Sequence, residues 1–599
     1  MQSKVDFIKK KKLFSERRKS MKKKSIRAWA AMLAVAAVLS GCGNGTGGTE
    51  STGSASAGTE NKAETQQEAK TTEGLTEPGT EPITTQKVTL KVVTALEDPD
   101  NNYVIKQMKE RLGIDFEWIV LPTDQFKEKL NLMLSSGDTI DLILRPNAAV
   151  ALMSKSEEYK LAQQGLLTPL NDYIEKSSKY LKEYYEEHPY YYQETTTPDG
   201  NIYSIQEHNL AYHVTMPYKM WINVTWLDNL GLEMPTTTEE FYQVLKAFKE
   251  QDANGNGDPN DEIPLSTCTG GANVEIDGFI MNAFTQNEPN NTNAKRIRVN
   301  DEGKVEASFT DENYREGLRF LNRLYEEGLL YQDAFTQDRK TQTALNESGD
   351  AARIGCLPAQ HMGYLVASMT DSDRWQEYDA MTPLQGPDGV QLSPKVNAAN
   401  LVFAPNGLIP AAAEHPEVAF RLLDMMFSEE WAYMAQFGEK NVDWRPAVEG
   451  EYGKDGKQAL ITALGTSETR KNKTLGDNIP KIEIPHTGQT CAQDPKAPDA
   501  AGHEYILYHA TDRMAPYANE EKNSLPLFYY LPEENEKIAT YAVTIDSYVT
   551  ESIARFVTGD LDLDKDWDGY LKDLESYGLS DYLETIQGGY DRWVANAVD

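Results

Sequence analysis

Cysteine is scarce in this chain, four in 599 residues. None of them stands in C-x-x-C spacing, which argues against a disulfide-built scaffold. Basic side chains are also short: 59 Lys and Arg face 93 Asp and Glu, for a formal charge of −34. A surface of that sign repels phosphate backbones and anionic headgroups, which excludes nucleic acid as a partner. No H-E-x-x-H, G-x-S-x-G or P-loop spacing occurs, so the common hydrolase and nucleotide motifs are missing. The chain shows no internal repeat of the kind adhesins carry.

A membrane-spanning run is lacking at the N-terminus as well. After the basic stretch at Met21 ("MKKKSIR") the chain is continuously apolar only from Ala28 to Leu39. Twelve residues of helix reach about 18 Å, against roughly 30 Å of bilayer core, so this reads as the apolar region of a signal peptide. Two basic clusters mark Met21 as an alternative start. Leu39-Ser40-Gly41-Cys42 then has the form of a bacterial lipobox, in which Cys42 receives a lipid. From Gly43 to about Gln86 Gly, Thr, Ser and Glu dominate, and the segment reads as a flexible tether. Setting Cys42 aside, Cys268, Cys356 and Cys491 read as thiols, with one disulfide as the alternative.

What is present is a globular composition, 40% apolar with 31 tyrosines, and a length that calls for at least two lobes. "VTLKVVTAL" from Val88 reads as a strand. "NYVIKQMKERLG" places Val104, Ile105, Met108 and Leu112 on one helical face. "IDFEWIV" alternates Ile114, Phe116, Trp118 and Val120. A helix over "DQFKEKLNLMLSSG" and a strand over "TIDLILR" complete β-α-β-α-β, the pattern of a parallel sheet with right-handed crossovers. The fold class is therefore α/β. In such sheets ligands sit beyond the carboxyl ends of the strands.

Further on, Thr237 and Glu240 have the spacing of a capping box. Phe241, Val244, Leu245 and Phe248 recur at helical spacing, which predicts a helix from about Thr238 to Glu250. It delivers the chain into "DANGNGDPNDEIPLS", where Asp252, Asn254, Asn256 and Gly257 match positions 1, 3, 5 and 6 of an EF-hand-type loop. Position 12 is Ile263. Asp261 and Glu262 stand ready to close the coordination sphere, with an oxygen from Asp258, and a plain Asx/Gly turn is the alternative. A closed shell of such oxygens makes a structural Ca2+ site and leaves no open position for Lewis-acid chemistry.

The stretch from "WLDNLGLEMPTTTEEF" to "DANGNGDPNDEIPLS" resembles the extracellular solute-binding lipoproteins of Gram-positive ABC importers, the carbohydrate-binding family 1. The resemblance continues in "LNLMLSSGDTIDLIL", "DGNIYSI", "FLNRLYEEGLL", "PLQGPDG" and "HPEVAFRLLDMMFSEE", and in the C-terminal "ARFVTGDLDLDKDWDGYLKDLESYG". It covers nearly all of Val88 to Arg592. In one respect the chain departs from the family pattern, whose acidic pair follows the glycine one residue sooner. The resemblance implies a two-lobed, periplasmic-binding-protein-like type II fold with a hinge, and calcium as a structural ion. The expected division is a signal peptide over 1–41, the lipidated cysteine and linker over 42–86, and a first lobe from 87–215 with 380–450. The second lobe takes 216–379 with 451–599.

The function so implied is capture of a sugar or oligosaccharide by hinge closure and delivery to an ABC permease, by a monomer held by lipid at the outer face of the cell membrane. A sugar site needs aromatic plates and polar groups in a cleft. The candidates by position are Arg145, Tyr203, Trp221, Asn223 and the pair Trp444 and Arg445 in "NVDWRP", with Trp375 a weaker one. The alternatives are a surface polysaccharide lyase or glycosidase, for which two carboxylates would suffice, an adhesion lipoprotein, or a binding protein for a peptide.

Overall fold

The computed structural model describes residues 73–144, 153–291, 293–369, 371–464, 469–475, 479–480, 491–492 and 500–597. The readings of a signal peptide and of lipid at Cys42, like the candidate Arg145, lie outside these residues.

The chain enters through β1 (Val88–Thr94), α1 (Tyr103–Arg111), β2 (Ile114–Val120), α2 (Phe126–Ser136) and β3 (Leu142–Leu144). β1 pairs in parallel with both β2 and β3, so the periodicity read from the sequence holds. On α1 the predicted face of Val104, Ile105 and Met108 is buried, and Asn102 caps the first turn through Val104 N at 2.9 Å. Next come α3 (Lys155–Gln163), α4 (Pro189–Thr195) and β4 (Ser204–His208).

The chain then passes to a second sheet through β5 (Met220–Asn223), α5 (Thr238–Glu250), β6 (Ile263–Leu265), α6 (Glu312–Glu326), β7 (Ile354–Pro358) and β8 (Tyr378–Ala380). It returns in β9 (Val402–Leu408). The first sheet has the order β2-β1-β3-β9-β4 and the second β8-β5-β7-β6. β9 runs antiparallel to β3 and β4, with register shifts around Pro405, the residue that cannot donate to the ladder. A hairpin of β10 (Trp444–Pro446) and β11 (Ile461–Ala463) follows. The chain closes with α7 (Ala500–Met514), α8 (Pro532–Thr558), α9 (Trp567–Ser576) and α10 (Leu579–Ala595).

Each sheet is covered on both faces, as parallel strands require. Alternation along β1 sends Leu90 and Val92 into one apolar cluster and Val93 into another. Along β5, Met220 and Ile222 join the cluster shared with α5, α6 and α8 to α10, while Trp221 points into the opposite one with Leu507 and Ala510 of α7. The chain therefore travels between the two sheets three times: over 209–219, over 381–401, and again between β11 and α7. This is the two-lobed α/β architecture expected from the sequence.

The predicted capping box is present: Glu240 N donates to Thr237 Oγ1 at 3.1 Å and Thr237 N to Glu240 Oε2 at 3.2 Å. The end of the predicted tether is folded. Residues 76 and 83 pair through Thr76 N and Ile83 O at 3.0 Å, and Ile83 N donates to Leu112 O at 3.0 Å. Ile83 is buried in the first-sheet core. Arg111 grips Glu81 at 2.8 and 2.9 Å, and the Trp431 indole donates to the same carboxylate at 2.7 Å. Leu75 and Ile83 on the core, the Glu81 ion pair and Arg421 on Thr76 O dock a segment whose composition otherwise reads as linker. Cys268, Cys356 and Cys491 are free thiols. Among the described residues no helix is long and apolar enough to cross a membrane.

Candidate functional site

The carboxyl ends of β6 and β7 open toward the passages between the sheets. Beyond β7 the chain places His361 and Tyr364, whose rings lie 5.0 Å apart. The loop after β6 folds over them, with Ala272 N donating to Tyr364 OH at 2.7 Å and Asn273 Nδ2 to Gln360 Oε1 at 3.1 Å. Arg339 lies 4.2 Å over the Tyr364 ring and donates to Gly363 O at 2.9 Å. Helix α7 faces this edge with His503, Glu504, Tyr505, Tyr508 and His509. The His503 ring stands 5.3 Å from His361, Tyr508 is 5.2 Å from Tyr212 of the first passage, and Tyr505 is 4.3 Å from His509. Lys454, from the turn of the β10–β11 hairpin, reaches Glu504 Oε2 at 3.0 Å, and His213 Nδ1 lies 3.6 Å from the same oxygen.

The imidazoles of this cluster are held neutral. Burial pushes the His213 imidazole down to about 3, against the pull of Glu504. Burial likewise brings His361 down to about 4, helped by His503, and lowers His503. An uncharged imidazole donates through one nitrogen and accepts through the other, which suits a hydroxyl. His503 Nε2 and His509 Nε2 are buried without a hydrogen-bond partner. Tyr212, Tyr505 and Tyr508 are half-buried. Glu504 is tied to Lys454 at 3.0 Å, and the charges of Asp455 and Asp512 reach Tyr508.

The candidates named from the sequence stand elsewhere, and the structure does not bring them together. Tyr203 belongs to the first-sheet core and donates to Asp199 Oδ2 at 3.0 Å. Trp221 is fully buried, its indole donating to Ala359 O at 3.0 Å. Asn223 caps the helix Val224–Leu230 through Trp226 N at 3.1 Å and donates to Glu377 at 3.0 Å. Trp375 is buried beneath the second sheet and donates to Met369 O at 3.1 Å. Trp444 stacks on Tyr433 at 5.0 Å, 8% exposed, and donates to Gly438 O at 3.1 Å. Arg445 is held by both oxygens of Glu451, at 2.8 and 2.6 Å. In this conformation these side chains are spent on packing and on protein partners. The signal that reaches the α7 cluster is the density of rings in "HEYILYH", where four of seven residues are His or Tyr.

The EF-hand-type loop follows α5 as predicted. Gly257 N donates to Asp252 Oδ2 at 2.9 Å, and Gly257 itself has φ +93°, the left-handed turn that favours glycine. Asn256 N and Asp258 N donate to Asn254 Oδ1 and Asn256 Oδ1 at 3.0 and 2.8 Å. Both Asn amides donate to Asp261, at 2.8 and 3.1 Å. Asp252 Oδ1 and Glu262 Oε2 are buried with no partner, and burial raises the Glu262 carboxyl. Two orphaned carboxylate oxygens in a loop of convergent Asx oxygens fit a hard cation. Among the described residues His, Cys, Asp and Glu alone form no metal cage, so Asn oxygens would have to complete this one.

Two sheets joined by three passages, with aromatic and imidazole groups gathered where the passages meet, define a two-lobed ligand-binding protein. Residues 94–351 match the family of bacterial extracellular solute-binding proteins. The chain is 30% identical over 543 residues to the fructooligosaccharide ABC transporter substrate-binding protein FusA of Streptococcus pneumoniae, covering 88% of this chain and 93% of FusA. It is 25% identical to the lipoprotein LipO of Bacillus subtilis, over 66% of this chain and 75% of LipO. The solved structure of FusA with kestose superposes with a TM-score of 0.68 at 28% identity, over 85% of this chain and all of that one. A FusA EF-hand mutant with fructo-nystose gives 0.67 at 27%, with the same coverage of both chains. The chain belongs to the bacterial extracellular solute-binding protein family; it is a binding protein and not an enzyme.

Proposed function

We propose that this protein captures a neutral oligosaccharide of the fructooligosaccharide class between its lobes and hands it to an ABC permease. The observation that carries the reading is the half-buried set of Tyr212, Tyr505 and Tyr508 beside imidazoles that burial keeps uncharged. Tyrosine faces suit the C–H face of a sugar ring, and neutral imidazoles suit its hydroxyls. The lobes of the proposal are 87–215 with 380–450 and 216–379 with 451–599, except that the β10–β11 hairpin, through Ala463, stays with the first. A ligand bridging both favours the closed arrangement by its differential affinity.

Calorimetric titration with kestose, with trigalacturonate and with a neutral tripeptide tests the ligand class. Kestose should bind and be recovered intact; tight binding of the tripeptide alone would remove the sugar from the reading. Within kestose binding, Tyr508→Ala should cost about 2 kcal/mol, roughly thirtyfold in Kd, the scale of a contact ring in a binding hot spot. The melting temperature should hold, since Tyr508 stands outside the core while its neighbours Leu507 and Ala510 pack within it.

The EF-hand-type loop is read as a structural Ca2+ site held by Asp252, Asn254, Asn256, Asp261 and Glu262, with Asp258 at its turn. The ion would supply charge compensation and would cross-link the end of α5 to the start of β6. An ion that binds only the folded state stabilises it by about 2.7 kcal/mol at a hundredfold excess over Kd. Chelation should therefore lower Tm, and Asp252→Ala should abolish that response while kestose affinity at high calcium stays within a few-fold. An unchanged Tm on chelation would reduce the loop to a set of Asx turns.

Lipid at Cys42 would hold the protein to the outer face of the cell membrane, close to its permease. The support is the lipobox in the sequence and the similarity to LipO. Cys42→Ala should release the protein to the medium or leave it uncleaved. Processed protein that stays in the membrane fraction rules the anchor out.

A further inference from the structure

A buried polar junction joins the lobes well away from the α7 cluster. Glu158 of α3 is fully buried against the first sheet, and its Oε2 accepts from Tyr529 OH at 2.8 Å. Gln206 of β4 donates to the same tyrosine oxygen at 2.7 Å. Tyr529 comes from the opposite side, between Phe528 and Tyr530, which are both in the second-sheet core. One turn away Lys155 is buried against Glu194 of α4 at 3.1 Å and donates to Leu527 O at 3.4 Å, while Trp593 of α10 donates to the other Glu194 oxygen at 2.7 Å. Both sets of contacts run from the first-sheet side to the second.

Glu158 Oε1, Gln206 Oε1 and Ser204 Oγ are all buried and without a partner. Two orphaned acceptors are costly as they stand, and the Ser204 hydroxyl beside Glu158 supplies one donor for the two. A proton on Glu158 supplies a second. The groups facing the carboxyl are Lys155 on its own helix, Ser204 and Gln206 on β4, Tyr185 of the helix Tyr180–Glu187, and Tyr529. Glu194 and Arg592 lie one contact further out. The one cation among the near groups, Lys155, is committed to Glu194. Burial accordingly raises Glu158 to about 7, partly offset by the hydroxyls of Ser204 and Tyr529 and by the Lys155 charge.

We infer that Glu158 is a proton-operated latch between the lobes, protonated when Tyr529 is docked on it and ionised when the lobes part and water reaches it. This rests on the reading that the protein works by opening and closing, and goes beyond it by linking closure to pH. Closure takes up one proton, which goes to Glu158 Oε1. By linkage the closed state, and any ligand that selects it, is favoured below neutrality and loses ground as pH rises.

Titration of the full chain with kestose from pH 4.5 to 8.5, in two buffers of different protonation enthalpy, tests the latch. Wild-type affinity should fall by up to tenfold per pH unit between about 4.5 and 7, with net proton uptake on binding in that window, and level off above it. Glu158→Gln, which keeps the shape of the protonated acid, should flatten the profile and abolish the uptake. Equal pH profiles in the two proteins would overturn the inference. If kestose fails to bind at any pH the ligand reading is at fault, and small-angle scattering of the ligand-free protein decides the latch instead. Its radius of gyration should grow between pH 4.5 and 7 in the wild type and stay constant in Glu158→Gln; growth in both, or in neither, would also overturn it. Should Glu158→Gln not fold, Tyr529→Phe replaces it: loss of the donor to the carboxylate should move the transition to higher pH, and an unmoved transition counts against the latch.

Discussion

Arg296→Met should destabilise the second lobe by roughly 3–5 kcal/mol, the cost of stranding one half of a buried ion pair. Arg296 and Asp277 are 5% and 2% exposed, and the guanidinium grips both carboxylate oxygens, Nε to Oδ2 at 2.7 Å and Nη2 to Oδ1 at 3.2 Å. Tyr314 OH and Asn287 Nδ2 each donate to Asp277 Oδ2 at 3.0 Å. Burial opposes the charged form of Asp277, and the Arg296 charge with these donors outweighs it and holds the carboxyl low. Without the arginine, the carboxylate keeps two donors and loses its counter-charge. Urea denaturation should show the midpoint falling at constant slope, with kestose affinity in the folded fraction unchanged. A companion Arg296→Met, Asp277→Leu protein should recover much of the loss, because a pair replaced by apolar groups leaves no orphaned charge. A single-mutant cost below about 1 kcal/mol would mean that the site hydrates on mutation, and that the pair does not hold the lobe together.

The β-α-β-α-β entry was legible because its signal is periodic: a single stretch of sequence carries each strand or helix, as with Val104, Ile105 and Met108 on α1. The capping box and the Asx loop were legible for the same reason, since their partners lie within a dozen residues. The α7 cluster was not. It is assembled from Tyr212, His361, Lys454 and residues 503–509, which come together only once the three passages have been laid down. The choice of tryptophans as plates ran against packing. Trp221, Trp226, Trp375, Trp431 and Trp567 are all fully buried, because a large ring contributes most where it displaces most water. Tyrosine, with a polar tip that tolerates exposure, supplies the half-buried rings Tyr212, Tyr505 and Tyr508 of the α7 cluster. Residues 73–86 show the opposite failure: composition averages over a window, and a single buried Ile83 escapes the average.

The stability that Glu288 contributes should be lost as pH rises from about 4.5 to 7, against the opposite trend of His208, His213 and His361, which burial holds low, and Glu288→Gln should remove that loss. Glu288 is 2% exposed at the place where the C-terminal segment meets the second lobe. Ser524 Oγ donates to its Oε2 at 2.8 Å, Gln286 Nε2 to its Oε1 at 3.2 Å and Asn291 Nδ2 to its Oε2 at 3.4 Å. Burial raises the carboxyl to about 7 and wins over these donors. A folded value above the unfolded one means that the native state binds the extra proton between pH 4.5 and 7. The stabilisation is complete below 4.5 and is lost as pH climbs to 7. A rise from 4.5 to about 7 corresponds to about 3 kcal/mol at 1.36 kcal/mol per unit, an order-of-magnitude figure. The measurement is the urea midpoint at pH 5, 6, 7 and 8 for wild type and Glu288→Gln. Relative to wild type, the midpoint of the variant should rise with pH through this window, and the pH dependence it retains belongs in part to Glu158, the other buried glutamate raised to about 7, and to the buried imidazoles. Identical slopes in the two proteins would show that the donors around Glu288, with Ser524 foremost, keep it ionised in the fold after all.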